Sequence, residues 1–173
     1  MRISKRYSNA TFTKRVDHDA GEHRPPRAAK EPATCKSCGA IYSRRRWVSA
    51  EGAKLIKDHK AWRPAMPTVC PACKQLQEGT PRGYVYLAGP YLSAHRADIE
   101  QFIHNEAARA GEDNPLARVM ERETDEQGQM VLTTTSDHLA KRLGRALERA
   151  FGGEVKYSFS HENKLTRVYW QRD

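Results

Sequence analysis

The apolar positions of this 173-residue chain change character near residue 84. Beyond that point they follow regular periods. Residues 84–88 (Tyr-Val-Tyr-Leu-Ala) are rich in β-formers and stop at Gly89-Pro90, which predicts a strand ending in a turn. A helix should follow, with Ser93 as N-cap and Ile99, Phe102, Ile103, Ala107 and Ala110 at helical spacing, until Gly111 ends it. Residues 116–124 and 130–134 flank Asp125-Glu126-Gln127-Gly128, a turn cluster that predicts a β-hairpin. From Ser136 a second helix sets Leu139, Leu143, Ala146, Leu147 and Ala150 on one face and Lys141, Arg142, Arg145 and Arg149 on the other, ending at Gly152-Gly153. Residues 154–159 and 165–170 read as two closing strands joined by His161-Glu162-Asn163-Lys164. The order β-α-β-β-α-β-β suits an α+β domain over 84–173, with helices on one face of a mostly antiparallel sheet.

The first part of the chain lacks such periods. Residues 1–33 mix Arg, Lys, Pro and Ala, and Arg24-Pro25-Pro26-Arg27 and Glu31-Pro32 break any regular element, so they read as a flexible basic arm. Residues 34–83 hold all four cysteines, a short helix predicted over 50–59 with Leu55 and Ile56 as anchors, and a hinge at Glu78, Gly79, Pro81 and Gly83. That is too little apolar material for an independent core.

Charge sharpens this division. Residues 1–83 carry 18 Lys/Arg against 7 Asp/Glu, and residues 84–173 carry 12 against 14. A basic segment beside a near-neutral domain, with a net charge of +9, points to a polyanionic partner such as nucleic acid rather than to an acidic small substrate. No stretch approaches the roughly 20 apolar residues of a membrane helix, and the N-terminal residues show no apolar signal-peptide core, so a cytoplasmic protein is expected.

In that compartment, cysteines are metal ligands or redox thiols more often than structural disulfides. Cys35-Lys-Ser-Cys38-Gly39 and Cys70-Pro-Ala-Cys73 each present two thiols across a tight turn, with 31 residues between the pairs. Two such pairs predict one closed, zinc-ribbon-like Cys₄ site in which Zn²⁺ plays a structural role, with no position left for water or substrate. Gly39 fits the turn because backbone N–H groups face the sulfurs there; the second pair has no such glycine. Redox chemistry would place one pair after a strand of a thioredoxin-like unit, and a zinc deaminase would need His-x-Glu ahead of Cys70; neither pattern occurs.

Between the pairs, Arg44, Arg45, Arg46 and Trp47 are followed by Lys54, Lys57, Lys60, Trp62 and Arg63. Cations interleaved with aromatics suit RNA, with phosphates on Arg and Lys and unpaired bases on Trp. Lys5, Arg6, Lys14 and Arg15 of the arm join this RNA-binding set. Trp47 and Trp62 have a second reading, as a small core over the metal. The stripe Lys141, Arg142, Arg145 and Arg149 is either a second basic face or the polar side that any surface helix carries. His95, His104 and His138 lack ligand spacing. No P-loop, dinucleotide turn, placed nucleophile or paired-carboxylate site is present, so no enzymatic activity is expected.

The paired Cys-x-x-Cys motifs ahead of an α+β domain, together with Leu132-Thr-Thr-Thr-Ser-Asp-His-Leu-Ala-Lys-Arg-Leu-Gly and Phe151-Gly-Gly-Glu-Val, resemble the zinc-bearing export adaptor of the eukaryotic large ribosomal subunit and its archaeal relatives. Over residues 34–172 the chain looks like a short bacterial relative. The resemblance implies a non-enzymatic protein that docks on the large subunit, on rRNA and ribosomal proteins, during maturation, hibernation or quality control. Members of that family carry further cysteine pairs, β-rich domains and transport signals, so nuclear export is not implied. Two other readings stand beside it, a DNA-binding or transcription-associated zinc protein and a metal- or redox-responsive regulator.

Overall fold

A computed structural model describes residues 31–54, 66–160 and 165–173 of the chain. Residues 1–30 of the predicted basic arm, Leu55 and Ile56 of the helix predicted over 50–59, and the turn at 161–164 lie outside the described residues, and the predicted arm boundary at residue 33 falls inside β1, which begins at Ala33.

The small N-terminal part is built from four three-residue strands: β1 (Ala33–Cys35), β2 (Ile41–Ser43), β3 (Arg46–Val48) and β4 (Met66–Thr68). They form one sheet in the order β3-β2-β1-β4, with β1 parallel to β4 and the other pairs antiparallel. None of these strands was legible as a period, because three residues allow too few alternations to distinguish a strand from a loop. Helix α1 (Ala50–Lys54) starts where Ser49 Oγ accepts the Gly52 N–H.

Helix α2 (Pro71–Glu78) also escaped the sequence reading, although its signals are ordinary ones. Pro71 sits in its first turn, and Gly79 closes it in the left-handed conformation at φ 61°, donating its N–H to Gln75 O. Residues read as the start of a hinge are therefore the end of a helix.

The larger part follows the predicted order. Its strands are β5 (Gly83–Ala88), β6 (Val119–Thr124), β7 (Met130–Thr134), β8 (Glu154–Ser160) and β9 (Leu165–Gln171), arranged β6-β7-β5-β9-β8. Three of the four pairings are antiparallel and β5/β9 is parallel, so the sheet is mixed. Val85 and Leu87 of β5, Met130 and Leu132 of β7, and Val168 and Trp170 of β9 all point to one face. Helices α4 (Arg96–Asp113) and α5 (Asp137–Phe151) cover that face with Ile99, Ile103, Leu139, Leu143 and Leu147. Burying about ten such side chains, at roughly 1.5–3 kcal/mol each, makes this cluster the principal core. Gly144 lets α5 approach closely, because a Cβ there would lie 2.5 Å from Val168 Cγ1.

Three predicted boundaries moved. A separate short helix, α3 (Pro90–Ala94), begins at the prolyl residue after Gly89, so Ser93 lies inside it and is not the cap of α4. Helix α4 runs through Gly111 to Asp113, since an isolated helical glycine costs only about 1 kcal/mol and does not by itself end a helix. The first hairpin strand starts at Val119 rather than at residue 116, because Asn114 Oδ1 holds the Leu116 N–H in a turn at 3.0 Å. The cap at Ser136 is as expected, its hydroxyl accepting the Leu139 N–H at 3.2 Å.

Candidate metal centre

The four cysteines converge. Cys35 ends β1, and the turn after it is closed by Gly39 N–H to Cys35 O at 2.9 Å and by Cys35 N–H to Ala40 O at 2.8 Å. Gly39 holds φ 72°, a left-handed angle that favours a residue without Cβ, as its place after Cys38 predicts. The second pair reaches the same end differently. Cys70 is the N-cap of α2, and its Sγ accepts the Cys73 N–H at 3.4 Å, so a helix start does the work of the missing glycine.

All four sulfurs lie within 4.8 Å of one another, and Cys35, Cys70 and Cys73 are buried. Cys38 Sγ and Cys70 Sγ are 3.7 Å apart, close to the edge of about 3.8 Å that a tetrahedron of sulfurs 2.3 Å from a central ion requires. This separation is far beyond the roughly 2.05 Å of a disulfide. The donor set therefore fits one thiophilic metal ion held by Cys35, Cys38, Cys70 and Cys73, with all four positions of a tetrahedral shell taken.

The surroundings are arranged for negative sulfur. Cys70 N–H donates to Cys35 Sγ at 3.3 Å. Burial opposes ionisation of Cys35, but the backbone N–H groups of Cys70, Cys38 and Ser37 outweigh it and bring that thiol down to about 6. Burial pushes the Cys70 and Cys73 thiols up, and the neighbouring sulfurs raise them further by placing like charges together. A divalent ion bound here would resolve this conflict by replacing the protons that these thiols otherwise retain.

A cation from the other part of the fold lies against the cluster. Arg118 Nη1 lies 3.6 Å from Cys73 Sγ, and its Nε donates to Pro115 O at 2.9 Å. Burial disfavours its charge, yet Cys38 and the other sulfurs hold the guanidinium more firmly protonated than usual. Leu116 packs on the cysteine cluster. The Gln75 carboxamide, oriented to satisfy both neighbours, donates to Thr135 O at 2.8 Å and accepts from Arg82 Nε at 3.3 Å. Sequence reasoning missed Arg118, since it lies 45 residues from Cys73 and only the tertiary fold brings them together.

The proposed RNA contacts are placed unevenly. Arg44 and Arg45 form the tip of the β2–β3 hairpin at φ 50° and 62°, and both backbone N–H groups donate to the Glu31 carboxylate, at 3.0 and 2.8 Å. Arg44, Arg45 and Arg46 are exposed. Trp47 is half-buried, packed on the cysteine cluster and 5.3 Å from Tyr42, the place of a small-core residue. Lys5, Arg6, Lys14, Arg15, Lys57, Lys60, Trp62 and Arg63 lie outside the described residues, as does the side chain of Lys54.

On α5 the basic stripe is partly occupied. Lys141 pairs with Asp137 at 2.7 Å, and Arg142 with Asp113 at 2.8 Å and Glu106 at 3.4 Å. Together with His138, Arg145, Glu148 and Arg149 these residues line a shallow groove. Comparison with known proteins finds no family model, no curated protein and no solved structure that matches the chain. Among the described residues no helix is long and apolar enough to cross a membrane.

Proposed function

We propose that the chain is a non-enzymatic zinc protein that binds RNA, with the rRNA of the large ribosomal subunit as its target in maturation, hibernation or quality control. Zinc is the ion that four buried thiolates in a closed tetrahedral arrangement favour, and such a site is structural. The choice of the ribosome rests on the resemblance described above, and the choice of RNA rests on the metal module itself.

The observation that carries the reading is the Arg44-Arg45 turn. Left-handed positions in a two-residue hairpin normally take Asn or Gly, and a side chain with Cβ costs about 1–2 kcal/mol at each. Two arginines stand there instead, stabilised from behind by Glu31. Arg46 follows directly, so three exposed arginines stand together at one hairpin tip. A cationic tip with a fixed left-handed turn is suited to phosphates, which bind planar guanidinium groups through paired hydrogen bonds.

The test is the salt dependence of binding to a ribosomal RNA fragment and to duplex DNA. Each phosphate neutralised contributes roughly 0.7–0.9 to the slope of log K against log salt. The zinc-loaded protein should bind the RNA more tightly than the duplex at equal salt, and Arg44→Ala/Arg45→Ala/Arg46→Ala should lower the slope by about 2. An unchanged slope would remove this tip from the interface, and preference for the duplex would favour the DNA-binding alternative.

A further inference from the structure

The sheet face opposite α4 and α5 carries an aromatic ladder. On β5, side chains alternate, with Val85 and Leu87 in the core and Tyr84 and Tyr86 on the other side. Tyr169 of β9 lies directly beside Tyr86 in the β5/β9 register. The Tyr86 and Tyr169 rings stack at 4.9 Å with an interplanar angle of 11°, and Tyr84 and Tyr86 at 6.1 Å with an angle of 12°. Three nearly parallel rings thus form a row across two central strands, and Tyr169 is 42% exposed.

Cations flank the row on the same face. Arg167 is the register partner of Tyr84, and Lys156 of β8 is the partner of Tyr169. Arg167 makes no ion pair among the described residues, and Lys156 meets only the exposed Glu154, at 3.1 Å. The acidic residues Glu121 and Glu123 lie on β6, which β7 separates from the ladder. A polyanion is therefore directed to the β5-β9-β8 half. Aromatic rings with adjacent cations are what single-stranded nucleic acid recognises, since every base has a π-face and phosphates follow at regular intervals.

We propose that Tyr84, Tyr86 and Tyr169 form a stacking platform for unpaired bases of single-stranded RNA, with Arg167 and Lys156 contacting its phosphates. The proposal rests on the RNA-binding reading but assigns it a second contact surface, on the sheet and away from the Arg44-Arg45 turn. Stacking needs the ring and not the hydroxyl, which gives the test its direction.

The experiment measures the affinity of the full-length, zinc-loaded protein for a fluorescent single-stranded oligouridine, alongside Tyr169→Ala, Tyr169→Phe, Tyr86→Ala and the triple Arg44/Arg45/Arg46→Ala variant. Tyr169→Phe should bind like the parent, whereas Tyr169→Ala and Tyr86→Ala should each lose roughly 5- to 150-fold. Thermal denaturation of each variant accompanies the measurement, and a Tyr169→Phe protein that folds like the parent serves as the control for packing. If oligouridine binds and depends on the arginine tip, but the tyrosine variants bind like the parent, the platform is overturned while the RNA reading stands. If Tyr169→Phe is as weak as Tyr169→Ala, the hydroxyl and not stacking is responsible, and the platform is again overturned. If the parent binds no RNA, both fall. Ultraviolet cross-linking that joins the oligonucleotide to Tyr169 supports the platform, and cross-links confined to other residues count against it.

Discussion

Arg118 and Cys73 meet at 3.6 Å, guanidinium to sulfur, across the join between the cysteine module and the α+β domain. Four thiolates around a divalent ion leave a net charge of −2, and a half-buried arginine offsets part of it. The same residue is pinned to its own domain, where its N–H donates to Thr135 Oγ1 at 2.9 Å. A metal ion held by these cysteines would thus be an electrostatic partner of the larger fold as well as the centre of the smaller one.

Substituting this residue tests that relationship. Arg118→Met should weaken metal affinity about 10-fold, within the range for outer-shell partners, and Arg118→Lys should recover part of the loss through its charge. Competition against a chromogenic chelator reads the affinity directly. Equal affinity in all three proteins would show that the guanidinium does nothing for the metal.

Removing the metal should divide the molecule. Among the described residues the buried cluster around the site contains only Cys35, Ala40, Cys70, Ala72 and Cys73, whereas the larger core runs from Val85 to Trp170. Chelation at neutral pH should therefore abolish hydrogen-exchange protection in β1 to β4 and α2, and leave it in β5, β9, α4 and α5. Uniform loss across the chain would mean that the α+β domain also depends on the ion for folding.

The start of α5 gives a pH dependence. Burial raises the Asp137 carboxyl, but the Lys141 ammonium, at 2.7 Å, and His138 outweigh it and hold the group below its ordinary value of 3.8. Folding then binds fewer protons than unfolding does, so the stabilisation is present above 3.8 and is lost as pH falls through the depressed value. Asp137→Asn should cost about 0.5–1 kcal/mol at neutral pH, from the helix terminus and the ion pair together. Denaturation of both proteins from pH 7 down to pH 3 should show the difference shrinking below 4; a constant difference would assign it to packing.

Close packing between α5 and β9 predicts a further effect. Gly144→Ala places a methyl group 2.5 Å from Val168 Cγ1, inside the core, and should destabilise by about 1–3 kcal/mol despite alanine's better helix propensity. Chemical denaturation measures it. A more stable variant would show that the helix can lift off the sheet without penalty.

These residues also show why some features were legible and others were not. The 3.6-residue period of Leu139, Leu143 and Leu147, with Ser136 before it and Gly152 after it, fixes α5 almost to the residue, because one face must be buried and both ends need partners. The cysteine set was legible because metal chemistry constrains spacing more tightly than packing does. Helix α2 is too short for a period, and its cap is a cysteine sulfur rather than an oxygen. Arg118 and the ladder of Tyr84, Tyr86 and Tyr169 depend on which strands become neighbours, and β5/β9 pairing joins segments about 80 residues apart, a relation that local patterns do not encode.

The central claim, an RNA-binding protein of the ribosome organised by zinc, is tested most directly by sedimenting the protein with cell lysate through sucrose gradients at low and at high salt, in its zinc-loaded form and as Cys38→Ser. The account predicts that the loaded protein migrates with the large subunit or the whole ribosome at low salt and leaves it at high salt, while Cys38→Ser stays at the top throughout. A loaded protein that remains at the top of the gradient at low salt would contradict it.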